Sequence, residues 1–292
     1  MDFRGAMPAL ITPFTPDNLI DEAGFRENIG YVIENGVSGL VPCGTTGESA
    51  TMTIDEHKQL INIAVDASTV PVISGTGSNN TEEAIELTRH AADAGVDAVL
   101  LITPYYNKPN RNGIIAHFDA ITSAADIPVI MYNIKSRTGI NLDYGLMAEL
   151  AENPSIIGVK EASGDLEQVS HIIELTQDSE FIVISGDDSL TLPIMSLGGV
   201  GVISVIANIV PEATAHLADA ILKKDYDNAR RLHYQLAPLV RAMFIETNPI
   251  PVKTAANMIG IAAGHLRLPL APMGTQNEQK LKNALIAAGL LS

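Results

Sequence analysis

The chain has 292 residues, 46% of them hydrophobic and 18% charged, which supplies a large core and excludes a disordered chain. Its 34 acidic against 18 basic side chains give a formal charge of −16, and without a Lys/Arg cluster no nucleic-acid partner is expected. A single cysteine, Cys43, excludes an internal disulfide and a CxxC metal or redox motif.

The first residues, MDFRGAMPALITPF, lack a basic start followed by an apolar stretch of about 7–15 residues, so no signal peptide is expected. No apolar run reaches the roughly 18 residues of a membrane span. A cytoplasmic protein without membrane association is the resulting expectation. From there, short runs rich in Val, Ile and Leu recur at 6–12, 39–42, 70–74, 98–103, 128–132, 156–160, 181–185 and 201–205. Their continuous apolar character predicts parallel strands covered on both faces. Amphipathic stretches separate them, such as 81–94, where Thr81, Glu82 and Glu83 suit a helix start and Gly95 a stop.

Eight strands alternating with helices within about 220 residues predict an α/β fold, a (β/α)8 TIM barrel over 1–224. A doubly wound open sheet is the alternative, disfavoured because no glycine-rich dinucleotide loop follows the first strand. Residues 225–292 lose the strand pattern. They read as a C-terminal helical domain with helices at 225–244 and 277–291, linked by the proline-rich turns NPIP and RLPLAP.

In a barrel of this kind chemistry sits at the C-terminal ends of the strands. Those ends carry hydroxyls, glycine turns and one lysine, and no histidine. Lys160 closes the apolar run Ile156-Ile157-Gly158-Val159. Desolvation there lowers a lysine pKa, and a neutral amine attacks ketones to form a Schiff base. The plain alternative is a lysine that snorkels to solvent or pairs with Glu161. Tyr132 ends the preceding strand, within reach of Lys160 across a spacing of about 5 Å, and serves either as a proton shuttle or as a core tyrosine. Lys253, on a predicted helix outside the barrel count, is a competing lysine.

The turn Gly44-Thr45-Thr46-Gly47-Glu48 offers backbone amides and two hydroxyls for a small carboxylate; as a plain helix start it would make Glu48 a first-turn acid. Cys43 reads as a small buried hydrophobe. The seven histidines are scattered and form neither HxxxH nor HExxH, and Asp187 and Asp188 read as helix caps rather than metal ligands. These features favour a lysine-dependent aldolase over a metal-dependent one, with no metal and no organic cofactor expected.

GTTGE at 44–48, TPYYN at 103–107, SRTG at 136–139 after the YN of Tyr132-Asn133, KEASGD at 160–165, SGDD at 185–188 and GVISV at 201–205 occur in order. Together they resemble the dihydrodipicolinate synthase/N-acetylneuraminate lyase family, from about Gly5 to the C-terminus. The resemblance implies a barrel with a short C-terminal helical domain, assembled as a homotetramer, a dimer of dimers. It implies that Lys160 forms the Schiff base with pyruvate and that Thr45 and Thr46 bind its carboxylate, with the Ile203 carbonyl close by. Tyr132, Thr45 and Tyr106 would form a proton relay, Tyr106 reaching in from a neighbouring subunit.

Arg137 would hold the carboxylate of the second substrate. Its SRTG segment points to the branch that condenses pyruvate with L-aspartate-4-semialdehyde in lysine and diaminopimelate biosynthesis. The alternatives are a pyruvate-dependent class I aldolase for a 2-keto-3-deoxy sugar acid and a non-catalytic small-molecule sensor. An L-lysine effector site would fall on Ser49, Ala50, Ile54, His57, Asn79, Glu83 and Tyr105, with Ile54 departing from the polar or basic residue usual there. A second departure is Lys135, where relatives carry proline.

Overall fold

Apolar runs without alternation need cover on both faces, and the computed structural model, which describes residues 3–292, supplies it. Seven strands form: β1 (Gly5–Pro8), β2 (Ile73–Gly75), β3 (Ala98–Ile102), β4 (Val129–Asn133), β5 (Ile156–Glu161), β6 (Ile182–Ser185) and β7 (Gly201–Ser204). They build one parallel sheet in the order β1-β7-β6-β5-β4-β3-β2. The order is sequential and has no reversal point, which a doubly wound open sheet requires. The sheet is curled and TIM-barrel-like.

The expected eighth strand, at 39–42, forms no ladder. Isolated parallel bridges join Ala9 to Val41 and Leu40 to Val72, so this segment stands between β1 and β2. Val41 N donates to Pro8 O at 2.9 Å and Ile73 N to Leu40 O at 2.8 Å. Pro8, Pro42 and Pro71 all fall at this seam, and each removes an amide donor that a regular ladder would use.

Strand alternation sorts the core into layers. Met7, Ile73, Leu100, Ile130, Tyr132, Ile184 and Ile203 pack together inside the curl. Val99, Leu101, Val129, Met131, Val159 and Val183 face the outer helices. Each such aliphatic side chain taken from water contributes about 2 kcal/mol. The helix Thr81–Ala94 has the predicted bounds, with Asn80 as the capping residue and Gly95 ending it at φ 89°. Helices Tyr226–Met243, Ile250–Met258 and Thr275–Ala287 follow, the second absorbing part of the expected NPIP turn. Their apolar faces share a core with Val202 and Ile206. No helix among the described residues is long and apolar enough to cross a membrane.

Candidate active site

The register of β4 against β5 sets Tyr132 directly beside Lys160. Both belong to the inward-facing set of their strands, so the pair meets inside the curl at its C-terminal end. Lys160 Nζ lies 4.3 Å from the centroid of the Tyr132 ring. The lysine is 7% exposed, and no hydrogen bond or ion pair among the described residues engages its amine. Burial pulls its pKa down to about 7, with the Asp188 charge opposing and Arg137 lowering it further. A large fraction is therefore the neutral nucleophile near neutral pH. Burial also pushes the Tyr132 phenol up to about 12, so it stays protonated. Gly186 leaves room for the lysine stem: a Cβ there would meet Lys160 Cγ at 3.0 Å.

Asp187 caps the short turn that follows β6, as expected, by accepting from Ser189 N at 2.8 Å. Asp188 does not cap. It is a buried carboxylate that accepts from Ser204 Oγ at 2.5 Å, Val205 N at 2.9 Å and Ile206 N at 3.3 Å. Loss of water raises it to about 6 despite those donors. Local sequence pointed to a cap because Asp before a helical pattern is the common cap. The competing donors come from β7 and the turn after it, which only the sheet brings close.

The turn 44–48 is held from three sides. Thr12 Oγ1 donates to Gly47 O at 2.7 Å. Asn248 Nδ2 donates to Thr46 Oγ1 at 2.9 Å across 202 residues. Glu48 is not an exposed first-turn acid: it is buried, and Lys253 Nζ reaches its Oε1 at 2.5 Å. Thr45 is half-buried beside buried Thr46. Arg137 is exposed and donates to Asn248 O at 3.0 Å, which links it to the same turn. The buried Asn248 Oδ1 has no hydrogen-bond partner, and nothing in its local sequence, NPIP, signalled it. Ile203 is buried on β7 opposite Met7. Cys43 is buried, as expected, and burial pushes its thiol pKa up.

Tyr106 carries φ 69° and is 88% exposed, so one chain leaves this phenol on the surface. Among the residues expected around an effector, the Glu83 charge acts on His57. Asn79 Nδ2 donates to Tyr105 O at 3.2 Å, Ser78 Oγ to Glu83 Oε2 at 2.8 Å, and His57 Nε2 lies 2.7 Å from Gly75 O. Ser49 and the exposed Ala50 fall on a single 3-10 turn next to the 44–48 turn. Lys135 opens the short helix Lys135–Thr138. That first helical position is where proline also fits, so the departure leaves the backbone path intact.

A desolvated, unpaired amine beside a protonated phenol, inside the curl of a parallel sheet, defines the class of lyases that activate a ketone as an imine on lysine. The chain is narrower than that class: it belongs to the dihydrodipicolinate synthetase family, whose model matches residues 2–288. It is 60% identical over 289 residues to the 4-hydroxy-tetrahydrodipicolinate synthase of Methanosarcina mazei, covering 99% of each chain. The enzyme of the same name from Methanothrix thermoacetophila is 59% identical over 283 residues, 97% of this chain and 96% of that one. Among solved structures, dihydrodipicolinate synthase from Aquifex aeolicus is 43% identical at a TM-score of 0.96, covering 99% of each chain. The Cyanidioschyzon merolae enzyme with lysine bound is 42% identical at 0.95, also over 99% of each chain.

Proposed function

We propose that this chain is a 4-hydroxy-tetrahydrodipicolinate synthase that condenses pyruvate with L-aspartate-4-semialdehyde. The observation that carries the reading is the Lys160 amine, buried without a polar partner 4.3 Å from the Tyr132 ring centroid. The amine adds to the pyruvate ketone and water leaves, giving an iminium on Lys160. Loss of a methyl proton makes the enamine, whose carbon attacks the aldehyde of the second substrate. That substrate's own amine then attacks the imine carbon, closing the ring and releasing Lys160.

In this reading Thr45, Thr46 and the amides of their turn hold the pyruvate carboxylate, and the Ile203 carbonyl borders the site. Tyr132, Thr45 and a neighbouring subunit's Tyr106 move the protons, within a cytoplasmic homotetramer. The bridged segment at 40–41 serves as the eighth stave of a (β/α)8 barrel over 1–224, with 225–292 as its helical domain. The deciding experiment measures turnover of pyruvate with L-aspartate-4-semialdehyde against cleavage of a 2-keto-3-deoxy sugar acid. Faster turnover of the sugar acid would assign the chain to the other aldolase branch.

Arg137 is the residue we assign to the second substrate's carboxylate, as suits a planar fork donor. Arg137→Ala should lower kcat/KM for aspartate semialdehyde by about 100-fold, the scale of a lost charged hydrogen bond. Pyruvate trapping at Lys160 by borohydride should stay within about threefold of the unmodified protein. Equal losses in both assays would remove Arg137 from that role.

We further propose that L-lysine binds beside Tyr105, where Glu83 pairs with its ammonium and Asn79 with a polar end. With Ile54 supplying no polar contact, inhibition should be weak. Calorimetric titration with lysine, paired with activity, checks this. Neither heat nor inhibition at about 10 mM lysine, a ligand level that reports any Kd worth −3 kcal/mol or better, would remove the effector role.

A further inference from the structure

Two lysines are buried among the described residues, and the mechanism uses one. Lys253, 1% exposed on the helix Ile250–Met258, is spent differently from Lys160. Its Nζ donates to Glu48 Oε1 at 2.5 Å and to His265 O at 2.7 Å, and lies 4.5 Å from the Phe14 ring centroid. Burial pulls its pKa down while the Glu48 carboxylate holds it up. An amine engaged in this way is not a free nucleophile.

Glu48 itself has φ 59° and ψ 35°, the left-handed region that costs a residue with a side chain and favours glycine. Such a conformation persists where the surroundings over-determine it. Here both carboxylate oxygens are taken, Oε1 by Lys253 and Oε2 by Arg267 N at 3.0 Å. The Arg267 guanidinium also lies over the Phe14 ring, its Cζ 3.9 Å from the centroid. It also forks onto Glu56, at 2.6 and 2.9 Å. Glu56 in turn closes the capping box of the helix Ile54–Ala67. Gly264 lets the loop carrying His265 lie against Phe14, since a Cβ there would come within 2.0 Å of Phe14 O. Two carboxylates and two cations balance, with Glu56 partly exposed at the edge, and a buried ion pair of this kind is weak evidence for a stabilising role.

We propose that the buried Glu48–Lys253 pair is a positioning device for pyruvate: by holding Glu48 left-handed it aims the amides and hydroxyls of the 44–48 turn at the substrate carboxylate. The inference rests on the pyruvate reading above and assigns a role to two residues outside the reacting atoms. Glu48 N donates to Thr45 O at 3.0 Å and Gly47 N to Gly44 O at 3.1 Å, so a change at Glu48 reorients the turn from its end. A misplacement of that kind weakens ground-state binding while the amine at Lys160 is untouched.

The test measures pyruvate dependence of borohydride trapping, kcat at saturating pyruvate, and folding by circular dichroism. The variants are Glu48→Gln, Lys253→Met and both together, with Ile121→Ala as a core truncation on the helix Arg111–Thr122. Each single variant should raise half-saturating pyruvate about tenfold, with kcat within about threefold. The double variant should be no worse than the weaker single, because the two residues act as a unit. Ile121→Ala should leave half-saturation unchanged. Glu48→Gln keeps an acceptor for Arg267 N and removes only the charge, so it decides the matter if Lys253→Met does not fold. Unchanged half-saturation in the folded variants, additive losses, or an equal shift in Ile121→Ala would each overturn the proposal. Absence of trapping in the unmodified protein would overturn the pyruvate reading first, and is seen before any variant is made.

Discussion

Lys160→Arg should abolish borohydride trapping of pyruvate and lower condensation by at least about 10⁴-fold, because a guanidinium that never deprotonates cannot form the imine. Trapping in the unmodified protein should add one pyruvate-derived mass, found on the peptide containing Lys160. Its pH dependence follows from burial, which brings the amine to about 7. The rate of imine formation should rise about tenfold per pH unit below that value and level off above it. Stability runs with the same proton. Between about 7 and the ordinary lysine value the unfolded chain binds more protons than the folded one, so this group's penalty shrinks as pH rises through that window. Lys160→Met should therefore raise the thermal midpoint at pH 7 while removing activity. Mass on Lys253, or a lower midpoint for Lys160→Met, would contradict the assignment.

Tyr132→Phe keeps the ring beside Lys160 and removes the phenolic oxygen proposed to carry the proton. Condensation should fall by about 10²–10³-fold, the range for one acid–base group, while imine formation persists at a reduced rate. The shared-site reading makes a sharper statement. Tyr106 is 88% exposed in one chain, which suits a phenol delivered across an interface. Mixing Tyr106→Phe with Tyr132→Phe subunits lets a hybrid rebuild one intact relay of two. Random exchange at equal amounts should then recover about a quarter of full activity, by the symmetry of a two-fold dimer. Mixed subunits no better than the average of the two variants, or a fully active monomer by sedimentation, would place Tyr106 outside the relay.

The local pattern of this chain was sufficient for the parallel α/β plan and for the two residues at its centre. Strand ends are marked by where an apolar run stops, and period two then decides which side chain faces inward, so Lys160 and Tyr132 were legible as neighbours. The helix Thr81–Ala94 was legible for the same reason: its stop signal, Gly95, acts within a single turn. The eighth run was expected as a strand because composition reports hydrophobicity. Pro8, Pro42 and Pro71 removed the ladder donors only when β1, the 39–42 segment and the run leading into β2 came together.

Long-range partners were decided by tertiary structure alone. Asp188 has the local signature of a cap and became a buried acceptor because β7 and the turn after it supply amide and hydroxyl donors. Asn248 reaches Thr46 across 202 residues, and Lys253 reaches Glu48 across 205. A sequence window encodes backbone preference and burial, which are short-range quantities. The partner of a buried charge is set by which surfaces the curled sheet and the C-terminal helices press together, and that is a property of the fold as a whole.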